Sequence, residues 1–292
     1  MNVESFLSEQ SYSPQTTETY RLLLSRFAEW LGDNPLEAFT AQDFDRYTAS
    51  RGWSKNYAYL QQSAIRSYCH WAMERGDLER PPFLNKKCLK RGMSRGLRAL
   101  KLDEIKTLAD YLLAHRGRRS YRRSLAMVML SFDAGLRASE VCSITMMDLD
   151  LDTRRVQVLR KRSGITVNGF GEFTAWAIRQ WLEDRPGLAN GHPHLFLTDE
   201  GLALNRQSWR LICLRLAKAS GIPHFAPHAL RRATAISYRE AGAPTMDVLR
   251  AMGWHGNGGQ QLYEHYSQLF CADPLQAFTP SAGIKMPVEV TA

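Results

Sequence analysis

The sequence predicts a mostly α-helical protein with a small antiparallel sheet, an α+β fold. Apolar residues recur at helical spacing along most of the 292 residues. The strand-rich region, residues 156–167, lies between helical segments, without the regular strand–helix alternation of a doubly wound parallel sheet. At about 100–200 residues per domain, the length suggests about two domains.

Residues 1–82 are predicted to form a small helical bundle. Ser13 followed by proline is a typical helix start, because the serine hydroxyl caps the first turn, and Gly32 is expected to end that helix. Thr40 and Ser54 are predicted to cap two further helices. The apolar face of the first helix is made by Tyr20, Leu23, Leu24, Phe27, Trp30 and Leu31.

Residues 83–100 are predicted to be a basic linker between the domains. A proline pair precedes them, and the segment KKCLKRGMSRGLR within them contains no acidic residue. Such a segment is either a solvated tether or a strap along a polyanion, and the absence of counter-charges favours a strap that binds phosphates. Its basic residues are Lys86, Lys87, Lys90, Arg91, Arg95 and Arg98.

Residues 101–270 are predicted to be the second, mixed domain. Strands are expected around 156–158 and 165–167, joined by a basic turn. Helices are predicted at 103–115, 121–134, 138–144, 171–184, 205–219, 228–241, 245–252 and about 258–268. The tail, residues 271–292, contains three prolines and so cannot be one long helix, and its apolar residues favour a docked segment.

The charge of the chain indicates a polyanionic partner. The chain has 38 basic and 29 acidic residues, which gives a formal net charge of +9, and its isoelectric point is near 9.4. Nucleic acid is the first candidate and an anionic membrane surface the second. The five cysteines form no CxxC pair, which argues against a disulfide framework or a zinc ribbon. Since no signal peptide or long apolar stretch is recognisable, we expect the protein in the cytoplasm.

The segment after Gly135 carries a candidate anion-binding pair. Gly135 is predicted to end one helix, and the next helix has Arg137 and Glu140 in its first turn. Residues three apart on a helix can face one another. Because Arg137 is flanked by apolar residues, we expect it to be partly buried and held by Glu140 rather than to form a free surface ion pair.

Two further basic positions are candidates for binding a phosphate or moving a proton. His228 and Arg231 share one helical face; a guanidinium can form a bidentate fork to a phosphate, and an imidazole can donate a hydrogen bond or shuttle a proton. Lys161, in the basic turn, is either only solvated, or it reaches into a duplex groove or protonates a leaving group.

Tyrosines near the end of the second domain are candidate nucleophiles. Tyr263 follows the tetrad Met-Gly-Trp-His at residues 252–255. A tyrosine near the end of a chain usually only packs, but its hydroxyl can also attack a carbonyl or phosphorus centre. Tyr266 lies one helical turn later and is the alternative nucleophile.

Taken in order, these clusters resemble the motifs of the tyrosine recombinase (phage integrase) family. The matching residues are Arg137 with Glu140, Lys161 on a β-hairpin, His228-x-x-Arg231, Gly253-Trp254 and Tyr263. Residues 97–105 and 194–222 also look like family segments, so the resemblance covers nearly the whole chain. It implies a helical, SAM-like core-site-binding domain followed by a tyrosine recombinase catalytic domain. The chain is similar to the two-domain Xer and Cre type, without an arm-binding domain.

The resemblance implies that the protein acts on a specific site in double-stranded DNA. Tyr263 would attack a phosphodiester, giving a 3′-phosphotyrosine link and a free 5′-hydroxyl. The family implies no metal and no other cofactor, since arginines take the place of a metal, and it implies a DNA-bound tetramer with contacts through the tail. The other implied roles are charge stabilisation for Arg137 and Arg231, protonation of the departing 5′-oxygen for Lys161, proton transfer for His228, contact with the phosphate for Trp254, and orientation of Arg137 for Glu140.

The chain departs from the family pattern at two motifs. Trp254 stands where most members have histidine, and it is preferred to the neighbouring His255 because it directly follows glycine. The common Gly-Lys-Gly is replaced by Arg160-Lys161-Arg162, so Arg160 or Arg162 could take the place of the lysine. Both arginines are also predicted to bind DNA.

Two other functions fit parts of the sequence. A type IB topoisomerase-like enzyme would relax DNA by the same chemistry, but it would not need the N-terminal domain or partner protomers. A helical regulator would bind DNA without catalysis, but it does not explain the ordered motifs. We therefore expect a site-specific recombinase, whether its task is integration, excision, resolution or inversion.

Overall fold

The computed structural model describes residues 1–80, 89, 99–160, 164–185, 187, 190–223, 225–254 and 281. The chain divides into two compact units, Met1–Arg95 and Gly96–Ala292. Most of the predicted linker at 83–100 and of the predicted tail at 271–292 falls outside the described residues, and so does the helix predicted at about 258–268.

Helices form the N-terminal unit. They are α1 (Val3–Glu9), α2 (Pro14–Leu31), α3 (Ala41–Ala49) and α4 (Lys55–Glu74), with a 3-10 turn at Leu36–Ala38. The predicted caps are present, since the side chains of Ser13, Thr40 and Ser54 each accept the backbone amide three residues later. The sequence does not predict α1, because its seven residues are too few to show a repeating apolar stripe.

Aromatic side chains fill the core of the N-terminal unit. Phe6 of α1 is fully buried against Tyr68 and Trp71 of α4, at ring-centroid distances of 5.6 and 5.7 Å. The indole N–H of Trp71 donates to the carboxylate of Glu9 at 2.7 Å. Edge-to-face aromatic pairs add about 0.5–1.5 kcal/mol each beyond the area they bury, so these contacts hold α1 against α4.

The second unit combines helices with a three-stranded sheet. Its helices are α5 (Leu102–Ala114), α6 (Arg119–Asp133), α7 (Ala138–Ser143), α8 (Glu172–Asp184), α9 (Arg206–Ser220), α10 (Pro227–Glu240) and α11 (Thr245–Met252). Strands β1 (Leu149–Asp150), β2 (Arg155–Arg160) and β3 (Gly164–Gly169) are antiparallel in the order β1-β2-β3. The predicted α+β fold, mostly helical with a small antiparallel sheet, is confirmed. None of the helices in the described ranges has the length and hydropathy that a bilayer span requires.

Helix α6 forms the centre of the second unit. From Arg123 to Asp133 every residue is buried, because α5, α8 and α10 pack around it. The buried carboxylate of Asp133 accepts the Gly171 amide at 2.8 Å and the Thr174 hydroxyl at 2.6 Å, which joins α6 to the start of α8. Ser281, from the predicted tail, donates to the same carboxylate through its amide (2.8 Å) and its hydroxyl (2.6 Å). At this residue the tail therefore packs on its own chain.

The sheet has one buried and one exposed face. Val156, Val158 and Arg160 of β2 are buried, and the residues between them are exposed. On the exposed face, Leu159 lies opposite Ile165 of β3. Because side chains alternate between the two faces of a strand, β2 directs an arginine into the interior beside two valines.

Candidate active site

A glycine turn between α6 and α7 begins the site. Gly135 has a φ of +59°, a conformation that residues with a side chain rarely adopt. A Cβ at this position would lie 2.6 Å from Sδ of Met252 at the end of α11. The predicted helix break is confirmed, and this close approach places the start of α7 beside the end of α11.

Arg137 and Glu140 form the pair that their spacing predicts. Arg137 is the N-cap of α7; its amide donates to Glu140 Oε2 at 2.8 Å, and its Nη1 donates to Oε1 at 2.5 Å. The Glu140 side chain is 7% exposed and that of Arg137 is 41% exposed. The carboxylate therefore holds one side of the guanidinium, while the other side is open to a ligand.

Arg231 of α10 is almost fully buried within the site. Its Nη1 donates to the carbonyl oxygen of Gly135 at 2.5 Å, and its Nη2 donates to the carbonyl oxygen of Met252. Its Nη1 also lies 3.5 Å from Glu140 Oε2. Burial, and secondly the nearby Arg137, lowers the pKa of Arg231 to about 9, which still leaves it protonated at neutral pH. One guanidinium thus joins the Gly135 turn, the end of α11 and Glu140.

His228 lies one turn before Arg231 on α10. The residue is exposed overall, but its imidazole is partly desolvated. This desolvation, followed by the charges of Arg232, Arg231 and Arg137, lowers the pKa of His228 below its usual 6.5. The imidazole is therefore mostly neutral at pH 7, the form that can accept a proton.

Trp254 faces Arg231 across the end of α11. Gly253 ends this helix in the left-handed conformation, with φ +57°, and the Trp254 amide donates to the carbonyl oxygen of Leu249 at 2.8 Å. The turn brings the indole ring to 5.7 Å from the guanidinium carbon of Arg231. The carbonyl oxygen of Gly253 lies 3.5 Å from Nη2 of Arg137, so the turn borders both arginines.

Arg160 differs from its prediction. The sequence predicts it in a basic turn that binds DNA, but its side chain is only 1% exposed. Its Nε lies 4.0 Å from Glu140 Oε1, and a Cβ on Gly253 would lie 2.6 Å from its Nη1. Arg160 is therefore the last residue of β2 rather than part of the turn, and the alternation of the strand turns its side chain inward with Val158.

The three arginines and Glu140 form what we call the arginine cluster. Arg137, Arg160 and Arg231 each lie within 4.0 Å of the Glu140 carboxylate, so the formal charge is 3 − 1 = +2. In the described part of the chain, no second carboxylate lies within ion-pair distance of these arginines. A preorganised cluster of this charge is suited to a phosphate, and more so to the extra negative charge of a phosphoryl-transfer transition state.

Asn168 supports the cluster, and sequence reasoning missed it. Its amide nitrogen donates to the carbonyl oxygens of Ala134 (2.7 Å) and Ala251 (2.8 Å). It thus fastens β3 to the segment before Gly135 and to the last turn of α11. No local pattern identifies such a residue, because its partners lie 34 and 83 positions away in the chain.

The structure brings together Arg137, Glu140, His228, Arg231 and Trp254 from α7, α10 and the end of α11. Within the described ranges, no group of His, Cys, Asp or Glu side chains is arranged to hold a metal ion. The remaining predicted site residues lie outside the described residues; they are Lys86, Lys87, Lys90, Arg91, Arg95, Arg98, Lys161, Arg162, Tyr263 and Tyr266.

Two family models match this chain. The model of the phage integrase family matches residues 98–268, and that of the phage integrase N-terminal SAM-like domain matches residues 3–76. Tyrosine recombinase XerC of Corynebacterium glutamicum is 26% identical over 87% of this chain and 82% of its own length. Tyrosine recombinase XerD of Listeria monocytogenes is 26% identical over 96% of this chain and 99% of its own length.

Solved structures share the fold. The crystal structure of a lambda integrase dimer bound to a COC′ core site superposes with a TM-score of 0.71 at 16% identity, over 90% of this chain and 93% of that one. The match of the family model to residues 98–268 confirms the family predicted from the order of the motifs. With an N-terminal SAM-like domain and a matching catalytic unit, the chain belongs to the phage integrase family of tyrosine recombinases.

Proposed function

We propose that this protein is a site-specific DNA recombinase that cuts and rejoins DNA strands through a 3′-phosphotyrosine intermediate. The observation that carries the proposal is the arginine cluster, a preorganised +2 site with His228 and Trp254 beside Arg231. The reaction is a transesterification. The phosphodiester energy is kept in the protein–DNA bond, so the strands can be rejoined without a nucleotide cofactor.

The chemistry begins at Tyr263. Its hydroxyl oxygen attacks the phosphorus, the bond to the 5′-oxygen breaks, and a 3′-phosphotyrosine bond forms. His228, which is mostly neutral at pH 7, accepts the tyrosine proton, and Lys161 donates a proton to the departing 5′-oxygen. Rejoining reverses these transfers, with the 5′-hydroxyl of another strand as the nucleophile.

The arginine cluster stabilises the charge that this reaction develops. A phosphodiester carries one negative charge, and attack by a tyrosinate adds a second. Arg137 offers the open side of its guanidinium to a non-bridging oxygen, and Arg231, held by two carbonyl oxygens, adds a second positive charge. Fixed groups of this kind need no reorganisation during the reaction, and each typically contributes about 10²–10³ in rate.

The partner in this proposal is double-stranded DNA with a specific recombination site. The net charge of +9 supports it, and the lambda integrase structure above is bound to a DNA core site. We place the phosphate contacts outside the chemistry on Arg162 and on the basic residues between 86 and 98. We further propose that four protomers assemble on the DNA and that the protein acts in the cytoplasm.

A DNA-relaxing enzyme of the type IB topoisomerase kind is the second candidate, because it would use the same tyrosine and arginines. The N-terminal SAM-like domain favours the recombinase, since relaxation needs neither a core-site-binding domain nor partner protomers. A regulator without catalysis is disfavoured, because buried charges such as those of Arg231 and Arg160 are costly to keep in a fold that does not use them.

Covalent trapping tests the proposal. Nicked duplexes are prepared from the DNA that flanks the encoding locus, so that cleavage releases a short fragment and leaves the protein attached. We expect the wild-type chain to accumulate a covalent adduct and Tyr263→Phe to form none. Tyr266→Phe, which loses the same hydroxyl one turn later, is the matched control and should react at the wild-type rate.

Three results would change the conclusion. Specific binding without an adduct on any duplex would overturn the proposal and favour a regulator. Adducts with plasmid relaxation but no recombinant product would favour the relaxing enzyme. Loss of the adduct in Tyr266→Phe alone would keep the reaction but move the nucleophile.

A further inference from the structure

Arg160 is a buried charge without a hydrogen-bond acceptor among the described residues. Its side chain is 1% exposed, and its Nε, Nη1 and Nη2 all lack a hydrogen-bond partner in that part of the chain. The Glu140 carboxylate lies 4.0 Å from Nε, which is beyond hydrogen-bond distance. Since arginine stays protonated in proteins, this guanidinium keeps a positive charge that is only partly matched.

The groups around Arg160 show what kind of partner it lacks. Arg137 Nη1 already donates a hydrogen bond to Glu140 Oε1 at 2.5 Å, and Arg231 Nη1 lies 3.5 Å from Glu140 Oε2. Tyr238 is a neutral phenol, and its hydroxyl donates to a backbone carbonyl. One carboxylate is thus shared by three guanidinium groups. The excess charge is suited to an anion that comes from outside the protein.

Gly253 covers the guanidinium of Arg160. A Cβ on Gly253 would lie 2.6 Å from both Cδ and Nη1 of Arg160. The carbonyl of the same glycine lies 3.5 Å from Nη2 of Arg137, and the next residue is Trp254. Arg160 therefore lies in the wall of the active site, directly beneath the turn that borders the phosphate-binding arginines.

We propose that Arg160 is a third, positioning arginine for the scissile phosphate, which acts through Glu140. By offsetting the charge of Glu140, it leaves the charges of Arg137 and Arg231 available to the phosphate. The cluster then carries +2, which matches the doubly charged transition state better than the singly charged substrate. Because catalysis depends on such a difference, Arg160 raises the cleavage rate rather than DNA affinity. The inference rests on the recombinase function proposed above.

The donors of Arg160, which are unsatisfied among the described residues, argue against a purely structural role. A purely structural arginine is expected to have its donors satisfied, because an unmatched buried charge destabilises a fold. Its replacement by an apolar side chain of similar length should therefore leave the protein at least as stable as the wild type.

The test compares Arg160→Met with Arg160→Lys on the nicked duplex that traps the wild-type chain. We expect Arg160→Met to form the adduct about 100-fold more slowly, with a DNA Kd within about twofold of wild type and an unchanged or higher Tm. Arg160→Lys, which keeps the charge, should recover part of the rate. Arg155→Met removes an exposed arginine from the same strand and is the matched control.

A second substrate separates charge from packing. A duplex with a methylphosphonate at the scissile position lacks the charge of one non-bridging oxygen, so its transition state carries less charge for the cluster to stabilise. On this duplex the deficit of Arg160→Met should shrink to about tenfold or less. An equal deficit on both duplexes, a lowered Tm or failure of Arg160→Met to fold would each show that the role is structural and would overturn the proposal.

Trapping of the wild-type chain distinguishes a failure of the role proposed for Arg160 from a failure of the recombinase function. An unchanged cleavage rate in Arg160→Met, with normal trapping of the wild type, would overturn the role of Arg160 and leave the recombinase function intact. Absence of an adduct from the wild-type chain on every duplex would instead overturn the recombinase function, and the role of Arg160 with it.

Discussion

Nη1 of Arg231 donates to the carbonyl oxygen of Gly135, 96 residues earlier in the chain, at 2.5 Å. The same guanidinium donates through Nη2 to the carbonyl oxygen of Met252. A planar fork can make both bonds at once, whereas a lysine ammonium is a single point charge. Arg231 therefore joins two segments of the site through its hydrogen bonds and also gives the site a positive charge. The two contributions can be measured separately.

We expect Arg231→Lys to fail in both respects. The lysine keeps a positive charge but leaves at least one of the two buried carbonyl oxygens unsatisfied, which should lower the free energy of unfolding by about 1–3 kcal/mol. Adduct formation should fall by about 100-fold or more, since the remaining charge is no longer fixed. Urea unfolding and covalent trapping measure the two effects. Arg210→Lys, at an exposed position of α9, is the matched control. Full activity of Arg231→Lys would show that the site does not need the planar guanidinium.

The lowered pKa of His228 predicts the acid side of the pH–rate profile. If His228 accepts the tyrosine proton, the rate should depend on its neutral form. Because its pKa lies below 6.5, single-turnover cleavage on saturating DNA should stay flat down to that pH and decline only in more acidic buffer. His228→Gln should be slower by about 10²–10⁴ and should lack this decline. His70→Gln, at an exposed position of α4, should keep the wild-type profile. A decline that begins well above pH 6.5 in the wild type would contradict the assignment.

The same pKa shift has a consequence for stability. Below pH 6.5 the unfolded chain binds a proton at His228 more readily than the folded chain does, so stability falls as the pH decreases. The contribution of His228 is complete above pH 6.5 and is lost as the pH falls through 6.5 towards the folded-state pKa. The difference in free energy of unfolding between wild type and His228→Gln, measured in urea at several pH values, should change in this window alone. A difference that is constant with pH would argue against the lowered pKa.

Ser281 provides a test of the docked tail. Its hydroxyl and amide both donate to the buried carboxylate of Asp133, and hydrogen bonds to charged groups are worth about 1.5–3 kcal/mol. Ser281→Ala removes the hydroxyl and should lower the free energy of unfolding by about that amount. Ser220→Ala removes a hydroxyl that bonds only to a carbonyl of its own helix, and is expected to cost less. Equal effects of the two substitutions in urea unfolding would show that the tail contact contributes little.

Features of the site that depend on the spacing of neighbouring residues can be predicted from the sequence. The break at Gly135, the pairing of Arg137 with Glu140 and the helices that carry them follow from spacing within a few residues. The hydrogen bonds of Arg231 to Gly135 and Met252 cannot be predicted in this way, because they join residues 96 and 21 positions apart that come together only in the folded chain.

Arg160 is a different case, because its position was visible in the sequence. Val156 and Val158 are apolar residues two positions apart, and side chains two apart on a strand share a face, so residue 160 falls on the same face if the strand continues. The basic composition of residues 160–162 instead predicts a turn that binds DNA. Composition describes the average of a segment, whereas burial is decided by the face on which each side chain lies.

Gly253 offers a direct measure of how closely Arg160 is held. An alanine there would adopt a φ near +57° and place its Cβ 2.6 Å from Cδ and Nη1 of Arg160. Gly221, the left-handed C-cap of α9, has φ +72° but nothing within 4 Å of such a Cβ. Gly221→Ala should therefore lower the free energy of unfolding only by the backbone penalty of about 1–2 kcal/mol. Gly253→Ala should lower it by about 1–3 kcal/mol more, because its Cβ collides with Arg160.

The two costs can be separated by removing the long side chain. In an Arg160→Ala background the collision is absent. Gly253→Ala should then lower the free energy of unfolding, measured in urea, by no more than Gly221→Ala does. The coupling between positions 160 and 253 would then equal the collision energy. Cleavage by the single variant Gly253→Ala should also be slower than wild type, because the displaced guanidinium no longer offsets Glu140. Equal costs of Gly253→Ala in both backgrounds would mean that Arg160 moves aside freely, and that it is not held in a fixed position beneath the phosphate-binding turn.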